Sequence, residues 1–551
     1  MKLEDYTQLK IFQFKPFFCY FAPAAVHAPH HVAPKWIHKF KGQFDAGWDS
    51  LRDDIYQRQL AMGVIPSGTA LTERPEQVPG WDEYPERYKP VAARLMEVFA
   101  GFMAHTDAQV EKVLKHLVEQ DIFDNTLVLY LTGDNGASAE GTVHGAWSAP
   151  SFQNGVHEDP EWLLEHMDDF GSERCENHFN VGWAWALDSP FQWMKQVASH
   201  FGGTRNALAV SWPKGIAARN ELRDQFHHVI DVFPTLLEVT GVAMPDKVNG
   251  IRQDPVHGIS MVDTFSDPHL ASARTTQYFE ILGNRAIYHD GWMASCFHGR
   301  LPWVRFAGFD FDGEQEVWEL YQVAEDFSQG VDLAASYPQK LRELQALFEQ
   351  EAQRYGVYPL RDASARRGGE YAPPHSLEGH SKITYGPMHQ RLPEHGVVNL
   401  KNTSYRITAA VQIQPHCSGV IACQGGNMAG WSLYLDADSR LTYVYNWFGH
   451  ESTTLVGEPV APGLHDILVT YAHDGGFAAG GHLALWVYGQ QVAEDRLERT
   501  VPVIFSMRGE TFDVGRYTGF PVGKYPHDFS FSGKIIGVTQ ERLAEPSDEV
   551  K

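Results

Sequence analysis

The stretch Leu127–Gly141, LVLYLTGDNGASAEG, joins an apolar run to a polar loop that could bind a cation. The apolar run Leu127–Leu131 predicts a buried strand of a parallel sheet. Asp134 and Asn135 follow it directly, and ligands of open α/β sheets bind beyond the carboxyl ends of the strands. A carboxylate and an amide oxygen are ligands that calcium or magnesium accepts. The alternative is an ordinary turn, since Asn-Gly is a common turn dipeptide.

A histidine follows a second apolar run near the amino end. Residues Lys15–Pro23, KPFFCYFAP, predict another buried strand, and His27 lies just beyond it. His30 and His31 come next, but nearby prolines make this segment a loop, which does not align imidazoles around a metal. We favour a single histidine, His27, that exchanges a proton with a substrate. Capping of the loop is the alternative role.

Basic residues surround a Gly-Gly pair within residues 191–206, FQWMKQVASHFGGTRN. Lys195, His200 and Arg205 would form an anion-binding pocket in a protein that is otherwise acidic. From charge and position we predict that His200 and Arg205 bind the substrate. A solvated turn is the alternative interpretation.

Hydrophobic periodicity indicates the elements that would position these residues. Apolar residues recur at helical spacing from about residue 90 to 120 and predict one long amphipathic helix before the strand at Leu127. An apolar helix that ends near Gly241 is expected to pack on the sheet. Other elements are predicted as strands at Ala207–Trp212, Ala286–Tyr288 and Trp318–Tyr321, and as a helix at Pro338–Tyr355. Helices that alternate with buried strands are typical of a parallel sheet.

The segment between the first site loop and the basic cluster is irregular. Residues 142–190 carry many Trp, His, Asp and Gly residues and show little periodicity. A long insertion of this kind beside a site loop is often a lid that shapes the substrate pocket.

Length and charge limit the possible functions. A chain of 551 residues predicts two to four domains at roughly 150 residues each. Its formal net charge of −24 disfavours binding to nucleic acid and to anionic membranes. The sequence has no apolar run as long as a membrane span and no signal-peptide core, so as written it predicts a cytoplasmic protein. The five scattered cysteines predict buried free thiols.

The last third of the chain has the pattern of a β-sandwich. Residues 361–392, rich in Arg, Gly, Pro, Ser and His, predict a linker. Alternating residues beyond it predict strands at Tyr405–Val411, Gly419–Ala422, Trp431–Leu435, Leu441–Tyr445, His465–Tyr471 and His482–Tyr488. We therefore expect an α/β domain over residues 1–360, whose last part, about 277–360, is a subdomain, and a sandwich over residues 393–551.

Four motifs occur in the order of one known family: His27-Ala28-Pro29, Gly133-Asp134-Asn135-Gly136, Lys195, and Gly202-Gly203-Thr204-Arg205. Together they resemble the arylsulfatase family of the alkaline-phosphatase-like superfamily, over most of residues 15–362. The resemblance implies an α/β fold with a mixed sheet flanked by helices. The distal module is similar to the concanavalin-like sandwich that some bacterial sulfatases carry. The resemblance to arylsulfatases also implies calcium-dependent hydrolysis of a small-molecule or glycan sulfate ester, of the aryl sulfate type.

The family's site residues can be assigned to matching positions. Asp134 and Asn135 match calcium ligands, and His27 matches the histidine that contacts the sulfate or the leaving-group oxygen. Lys195 matches the lysine that holds a sulfate oxygen. These types suit the chemistry, since a sulfate ester needs its developing charge held by a cation and an ammonium and its departing oxygen protonated.

The sequence departs from the family at the nucleophile. Sulfatases use a formylglycine made from the Cys or Ser of a Cys/Ser-x-Pro-x-Arg motif, and this chain has no such motif. The paired aspartates that complete the family's calcium site have no counterpart either. We therefore expect weakened calcium binding and a sheet with unpaired edges and exposed apolar surface. We also expect a chain that is inactive by itself. It would be a truncated product, a chain with a wrongly assigned start, or one piece that needs an amino-terminal segment or another chain.

Two other functions are compatible with the sequence. A phosphoesterase of the same superfamily would use two zinc or manganese ions, but its extra His and Asp ligands are not evident around Asp134. A non-catalytic remnant could bind carbohydrate through sandwich aromatics, namely Trp431, Tyr434, Tyr443, Tyr445 and Trp447. Alternation along the strands favours core positions for most of these aromatics.

Overall fold

The computed structural model describes residues 16–305, 316–360, 377 and 379–543. The chain divides into two compact units, each discontinuous in sequence. The first, called here the α/β unit, comprises residues 1–27, 32–143 and 179–363. The second, called the sandwich unit, comprises residues 28–31, 144–178 and 364–551.

The helices of the described residues, in chain order, are α1 Pro34–Ile37, α2 Gly47–Met62, α3 Lys89–Glu119, α4 Ala149–Gln153, α5 Pro160–Glu165, α6 Val181–Leu187, α7 Phe201–Thr204, α8 Val232–Thr240 and α9 Pro338–Arg354. Helices α4 and α5 belong to the sandwich unit, and the others to the α/β unit. No helix of the described residues combines the length and apolar character that crossing a membrane requires.

Helix α3 confirms the strongest periodic signal of the sequence. Its first half is buried, from Val91 to Gly101, and Trp183 of α6 donates its indole N–H to the carbonyl oxygen of Ala92 at 2.9 Å. Its second half is more open to solvent, and Val118 is 60% exposed. The helix therefore anchors the α/β unit mainly through its amino-terminal half.

The strands of the α/β unit form three small antiparallel sheets. They are β1 Val128–Leu131 with β2 Leu208–Ser211, β3 Lys247–Val248 with β4 Ile251–Arg252, and the four-stranded sheet of β5 Thr276–Ile281, β6 Asn284–His289, β7 Trp292–Cys296 and β8 Trp318–Tyr321. The four-stranded sheet buries Ile287, Ala294 and Leu320 against Leu344 and Phe348 of α9. This confirms the subdomain elements that the sequence predicts near residues 277–360.

Three expectations for the α/β unit are wrong. The strand at Leu127–Leu131 is neither parallel nor buried, because β1 pairs antiparallel with β2 and exposes Tyr130 and Leu131. Residues 16–23 form no strand. Helix α8 buries only Thr235. The common reason is that a strand or helix becomes buried only when neighbours cover it, and β1 has one paired edge among the described residues.

The sandwich unit contains two antiparallel sheets. Its strands are β9 Lys382–Tyr385, β10 Tyr405–Ile413, β11 Gly419–Gly425, β12 Gly430–Leu435, β13 Arg440–Trp447, β14 Glu451–Pro459, β15 Gly463–His473, β16 Ala479–Val487, β17 Gln490–Arg499, β18 Phe512–Val514 and β19 Lys534–Arg542. One sheet has the order β17-β16-β15-β10-β19-β9 and the other β14-β13-β12-β11-β18. Apolar residues from both sheets form one core. The predicted sandwich is confirmed.

Residues that the sequence assigns to a linker contribute to this sheet. Strand β9 lies within the predicted linker 361–392 and pairs with β19 through Val538 and Tyr385. Residues 361–376 and 378 of that linker lie outside the described residues.

The aromatic residues considered for carbohydrate stacking are core residues. Trp431, Tyr443 and Tyr445 are buried in the core that the two sheets share, and Tyr434 and Trp447 are also at most 8% exposed. Stacking of a sugar ring needs an accessible aromatic face. The carbohydrate hypothesis, as it was attached to these five residues, is wrong.

Residues 144–178 pack on the sandwich rather than forming a lid. Asn154 accepts hydrogen bonds from the backbone N–H groups of Val503 and Ile504 at 2.7 and 3.0 Å and donates to the carbonyl oxygen of Ile504 at 2.9 Å. Glu176 contacts Arg508 at 2.7 Å, and both side chains are largely buried. These polar contacts assign the segment to the core structure of the sandwich unit.

Candidate functional site

Two loops of the α/β unit lie side by side and form the candidate site. One is the loop after β1 that carries Asp134 and Asn135, and the other is the basic segment 191–206 with the start of β2. Backbone hydrogen bonds join them, from Gly136 N to Gly203 O at 3.2 Å, from Lys195 N to Ala137 O at 3.1 Å and from Thr132 N to Ala207 O at 3.2 Å. The side-chain amide of Asn206 also faces the Asn135 peptide, with both N–O distances at 3.1 Å.

The close approach of the two loops explains one glycine of the motif. A Cβ atom on Gly136 would lie 1.7 Å from the carbonyl oxygen of Gly202, so no other residue fits without moving backbone. Gly133 favours glycine for a different reason, because its φ of +157° lies in a region that residues with a side chain rarely adopt and a Cβ there would meet its nearest neighbour at 3.3 Å. The motif therefore needs glycine at position 136 for packing and at position 133 for backbone conformation.

An aspartate at the end of α6, Asp188, holds the loop after β1 in place. Both carboxylate oxygens of Asp188 accept the backbone N–H of Ala137, at 3.0 and 3.1 Å. Burial raises the pKa of Asp188 well above its usual value, against the opposing effects of the Ala137 N–H and the charge of Arg52. Arg52 is 1% exposed and donates to the carbonyl oxygens of Trp185 and Phe191. These groups give the loop a rigid base.

The structure brings together two of the predicted catalytic residues. The Lys195 amino nitrogen lies 3.3 Å from Nε2 of the exposed His27. It also lies 3.9 Å from a carboxylate oxygen of Glu140, which belongs to the loop after β1. The side chains of Lys195 and Glu140 are 20% and 18% exposed, so a small ligand can reach them. An ammonium beside an imidazole can hold an anion and exchange a proton with it.

A polar chain supports Glu140. The amide of Gln196 donates to the Glu140 carboxylate at 3.0 Å, and the oxygen of that amide accepts from the guanidinium of Arg300. Asn284 of β6 donates to the Gln196 carbonyl oxygen at 2.8 Å. Arg300 is 1% exposed. Strand β6 and the loop after β7 thus position the carboxylate next to Lys195.

His200 and Arg205 do not join Lys195. His200 is 1% exposed, contacts Ser199 through Nδ1 at 2.9 Å and has Nε2 at 3.0 Å from Glu319. The Arg205 guanidinium lies 3.8 Å from the centre of the Phe327 ring and donates to the Phe327 carbonyl oxygen. Neither contact set includes an anion pocket, so the predicted substrate-binding roles of His200 and Arg205 receive no support. Spacing along a loop did not reveal which side chains turn inward.

Asp134 and Asn135 do not make a calcium site by themselves. Asp134 is exposed, and the Asn135 amide nitrogen donates to its carboxylate at 2.7 Å. Calcium takes six to eight oxygen ligands. Within the part of the chain that the structure describes, no three His, Cys, Asp or Glu residues are arranged to hold a metal. One carboxylate and one amide oxygen form too small a donor set.

Sequence reasoning missed several residues that shape this site. Glu140 is in the quoted stretch after β1, and its acidic type so close to Asp134 was the available signal. Gln196 follows Lys195 directly but has no motif of its own. Asp188, Arg52 and Arg300 reach the site only through tertiary contacts, so sequence spacing contains no signal for them.

Comparison with known proteins agrees with the motifs. Residues 6–242 match the sulfatase family model. An uncharacterized sulfatase of Schizosaccharomyces pombe is 28% identical over 335 residues, which cover 60% of this chain and 56% of that protein. An arylsulfatase of Klebsiella aerogenes is 28% identical over 243 residues, 44% of this chain and 49% of that protein. The chain spans about half the length of these relatives.

Similarity to solved structures is weaker. A candidate sulfatase, yidJ, of Bacteroides fragilis is 13% identical, with 59% of this chain and 51% of that chain covered and a TM-score of 0.32. A score this low supports no conclusion about the fold or the site. Over residues 6–242, less than half of the chain, the sequence is similar to the sulfatase family.

Proposed function

We propose that the α/β unit binds a sulfate ester, of a small molecule or a glycan, at Lys195 and His27. The observation that carries the proposal is the 3.3 Å contact between the Lys195 amino nitrogen and His27 Nε2, next to the loop of Asp134 and Asn135. The sulfatase and arylsulfatase relatives support the substrate class. A phosphoesterase would need two metal ions, and no observation around this site favours that alternative.

The two side chains have complementary tasks in this proposal. Lys195 would hold a sulfate oxygen and balance the charge that develops on the sulfate. His27 would give a proton to the departing oxygen. The Lys195 ammonium donates toward His27 Nε2, so this nitrogen carries no proton in that contact. An arriving anion would compete for the ammonium, and Nε2 would then take a proton from solvent before it donates to the ester oxygen.

Replacement of Lys195 by methionine tests the site. We expect Lys195→Met to weaken binding of 4-nitrophenyl sulfate at least tenfold, because a charged hydrogen bond contributes about 2 kcal/mol. Isothermal titration calorimetry on the full chain measures this affinity. Lys214→Met, on an exposed lysine of the same unit, is the matched control and should bind like the unmodified protein. Equal affinity in Lys195→Met would contradict the proposal.

We further propose that the chain binds the ester without turning it over. No Cys or Ser of the sequence lies in a Cys/Ser-x-Pro-x-Arg context, so the chain has no residue from which the family's formylglycine could be made. Purified protein incubated with 4-nitrophenyl sulfate should release 4-nitrophenolate at the rate of the buffer blank. Release above the blank that Lys195→Met abolishes would show an active enzyme and refute this part of the proposal.

Calcium binding should be weak. Asp134 and Asn135 supply too few oxygens, and affinity follows the number and charge of the ligands. We expect a dissociation constant above about 1 mM, so that 1 mM calcium leaves the thermal unfolding midpoint of the protein unchanged. Asp134→Asn serves as the control and should behave identically. A calcium-induced rise of several degrees that Asp134→Asn removes would show a complete site.

A further inference from the structure

The carboxylate of Glu140 is the only acidic group found in contact with the Lys195 ammonium among the described residues. It lies 3.9 Å from the ammonium nitrogen, on the same loop as Asp134. Its negative charge lies next to the positive charge of Lys195, the proposed anion-binding group, and opposes the approach of an anion to that ammonium.

Glu140 is held in place rather than free to move away. Gln196 donates to its carboxylate, and Arg300, 1% exposed, fixes the Gln196 amide from the other side. Its charge also acts on Arg305, since burial lowers the pKa of Arg305 and the Glu140 charge partly restores it. A carboxylate with such support remains near the site when a ligand arrives.

A fixed negative charge discriminates between ligands by their charge. An aryl sulfate carries one negative charge, whereas an aryl phosphate carries nearly two above pH 7. Each unit of ligand charge at about 6 Å from a carboxylate in a half-solvated pocket costs about tenfold in affinity. The affinity for the dianion is therefore lowered by this factor twice. The repulsion is smallest for the ester with the lower charge.

We propose that Glu140 is a specificity-determining residue that makes the Lys195 site select monoanionic sulfate esters over dianionic phosphate esters. The inference rests on the proposed function, since it assigns selectivity to the same site. The site would select its ligand through repulsion of the phosphate ester as much as through attraction of the sulfate ester. Gln196 and Arg300 are positioning residues for the carboxylate.

The test compares 4-nitrophenyl sulfate with 4-nitrophenyl phosphate at pH 8, by calorimetric titration of the full chain. In Glu140→Gln we expect sulfate ester affinity to rise about tenfold and phosphate ester affinity about a hundredfold. The sulfate-to-phosphate affinity ratio should then fall about tenfold. Glu119→Gln, at the exposed end of α3, is the matched control and should leave the ratio unchanged.

A second variant protects the test against misfolding. Gln196→Glu adds a carboxylate beside Glu140 and should shift the ratio the other way, in favour of the sulfate ester. A ratio that stays constant in both variants, while Lys195→Met still weakens sulfate ester binding at least tenfold, would overturn the role of Glu140 and leave the proposed function intact. If the unmodified protein bound neither ester, the proposed function itself would fail.

Discussion

Gly136→Ala is expected to destabilise the α/β unit by about 3 kcal/mol and to abolish binding of 4-nitrophenyl sulfate. The new Cβ would lie 1.7 Å from the carbonyl oxygen of Gly202, and neither loop can yield without breaking the hydrogen bond from Gly136 N to Gly203 O. Moving the loop also moves Ala137, whose carbonyl oxygen accepts from the Lys195 backbone. Thermal unfolding and calorimetric titration measure the two effects.

Gly68→Ala, in the same unit, is the matched control for this experiment. Gly68 is exposed, and a Cβ atom there would meet no atom within 4 Å. We expect a small loss of stability and almost unchanged ligand binding. If the two alanine variants behaved alike, the close contact between the loops would not explain why position 136 needs glycine.

Asp231→Ala should destabilise the α/β unit by about 4 kcal/mol at pH 7, because it leaves the buried Arg274 without its partner. Asp231 is 0% exposed and pairs with both Nε and Nη2 of Arg274. It also accepts the backbone N–H groups of Ile259 and His228, at 2.8 and 2.9 Å. Asp53→Asn, an exposed aspartate of α2, should leave the unfolding midpoint unchanged.

The effect of Asp231 should depend on pH in a defined direction. Burial acts to raise the pKa of Asp231, but the Arg274 hydrogen bonds and the two N–H groups outweigh it, and the pKa lies below the usual 3.8. A depressed pKa means that the stabilisation is complete above about pH 4 and disappears as the pH falls through the folded-state value. The stability difference between the unmodified protein and Asp231→Asn should therefore shrink between pH 5 and pH 2. A difference that is constant over this range would contradict the ion pair.

The sequence predicted elements whose own side chains carry a long periodic signal. Helix α3 is in this group, and so are strands β10 and β15, whose burial alternates along the strand. Strands β11, β12 and β13 are buried almost throughout, and their apolar and aromatic residues provided the signal. Strands β14 and β17 were missed because many of their residues are exposed and polar. The direction of β1 was mispredicted because an apolar run does not specify its neighbour, and β2 lies antiparallel to it.

The site was predictable only as far as its motifs extend. His27 and Lys195 were found and do lie together. Arg205 has the right charge in the right segment, but its guanidinium packs on the ring of Phe327 and donates to the Phe327 carbonyl oxygen. Phe327 lies more than a hundred residues away in sequence. Asp188 and Arg300 act from other segments of the chain. Such contacts depend on tertiary packing, which no local spacing encodes.

The attachment of Asn154 to the sandwich has a consequence for biosynthesis. Its partners Val503 and Ile504 lie 349 and 350 residues later in the chain. At a synthesis rate of about 10 residues per second, Asn154 emerges from the ribosome about half a minute before its partners exist. During that interval the α/β unit can fold while residues 144–178, which interrupt its sequence, still lack their partners in the sandwich unit. Expression of residues 393–551 as an isolated fragment should accordingly yield a sandwich whose Val503 and Ile504 amides remain open to rapid deuterium exchange.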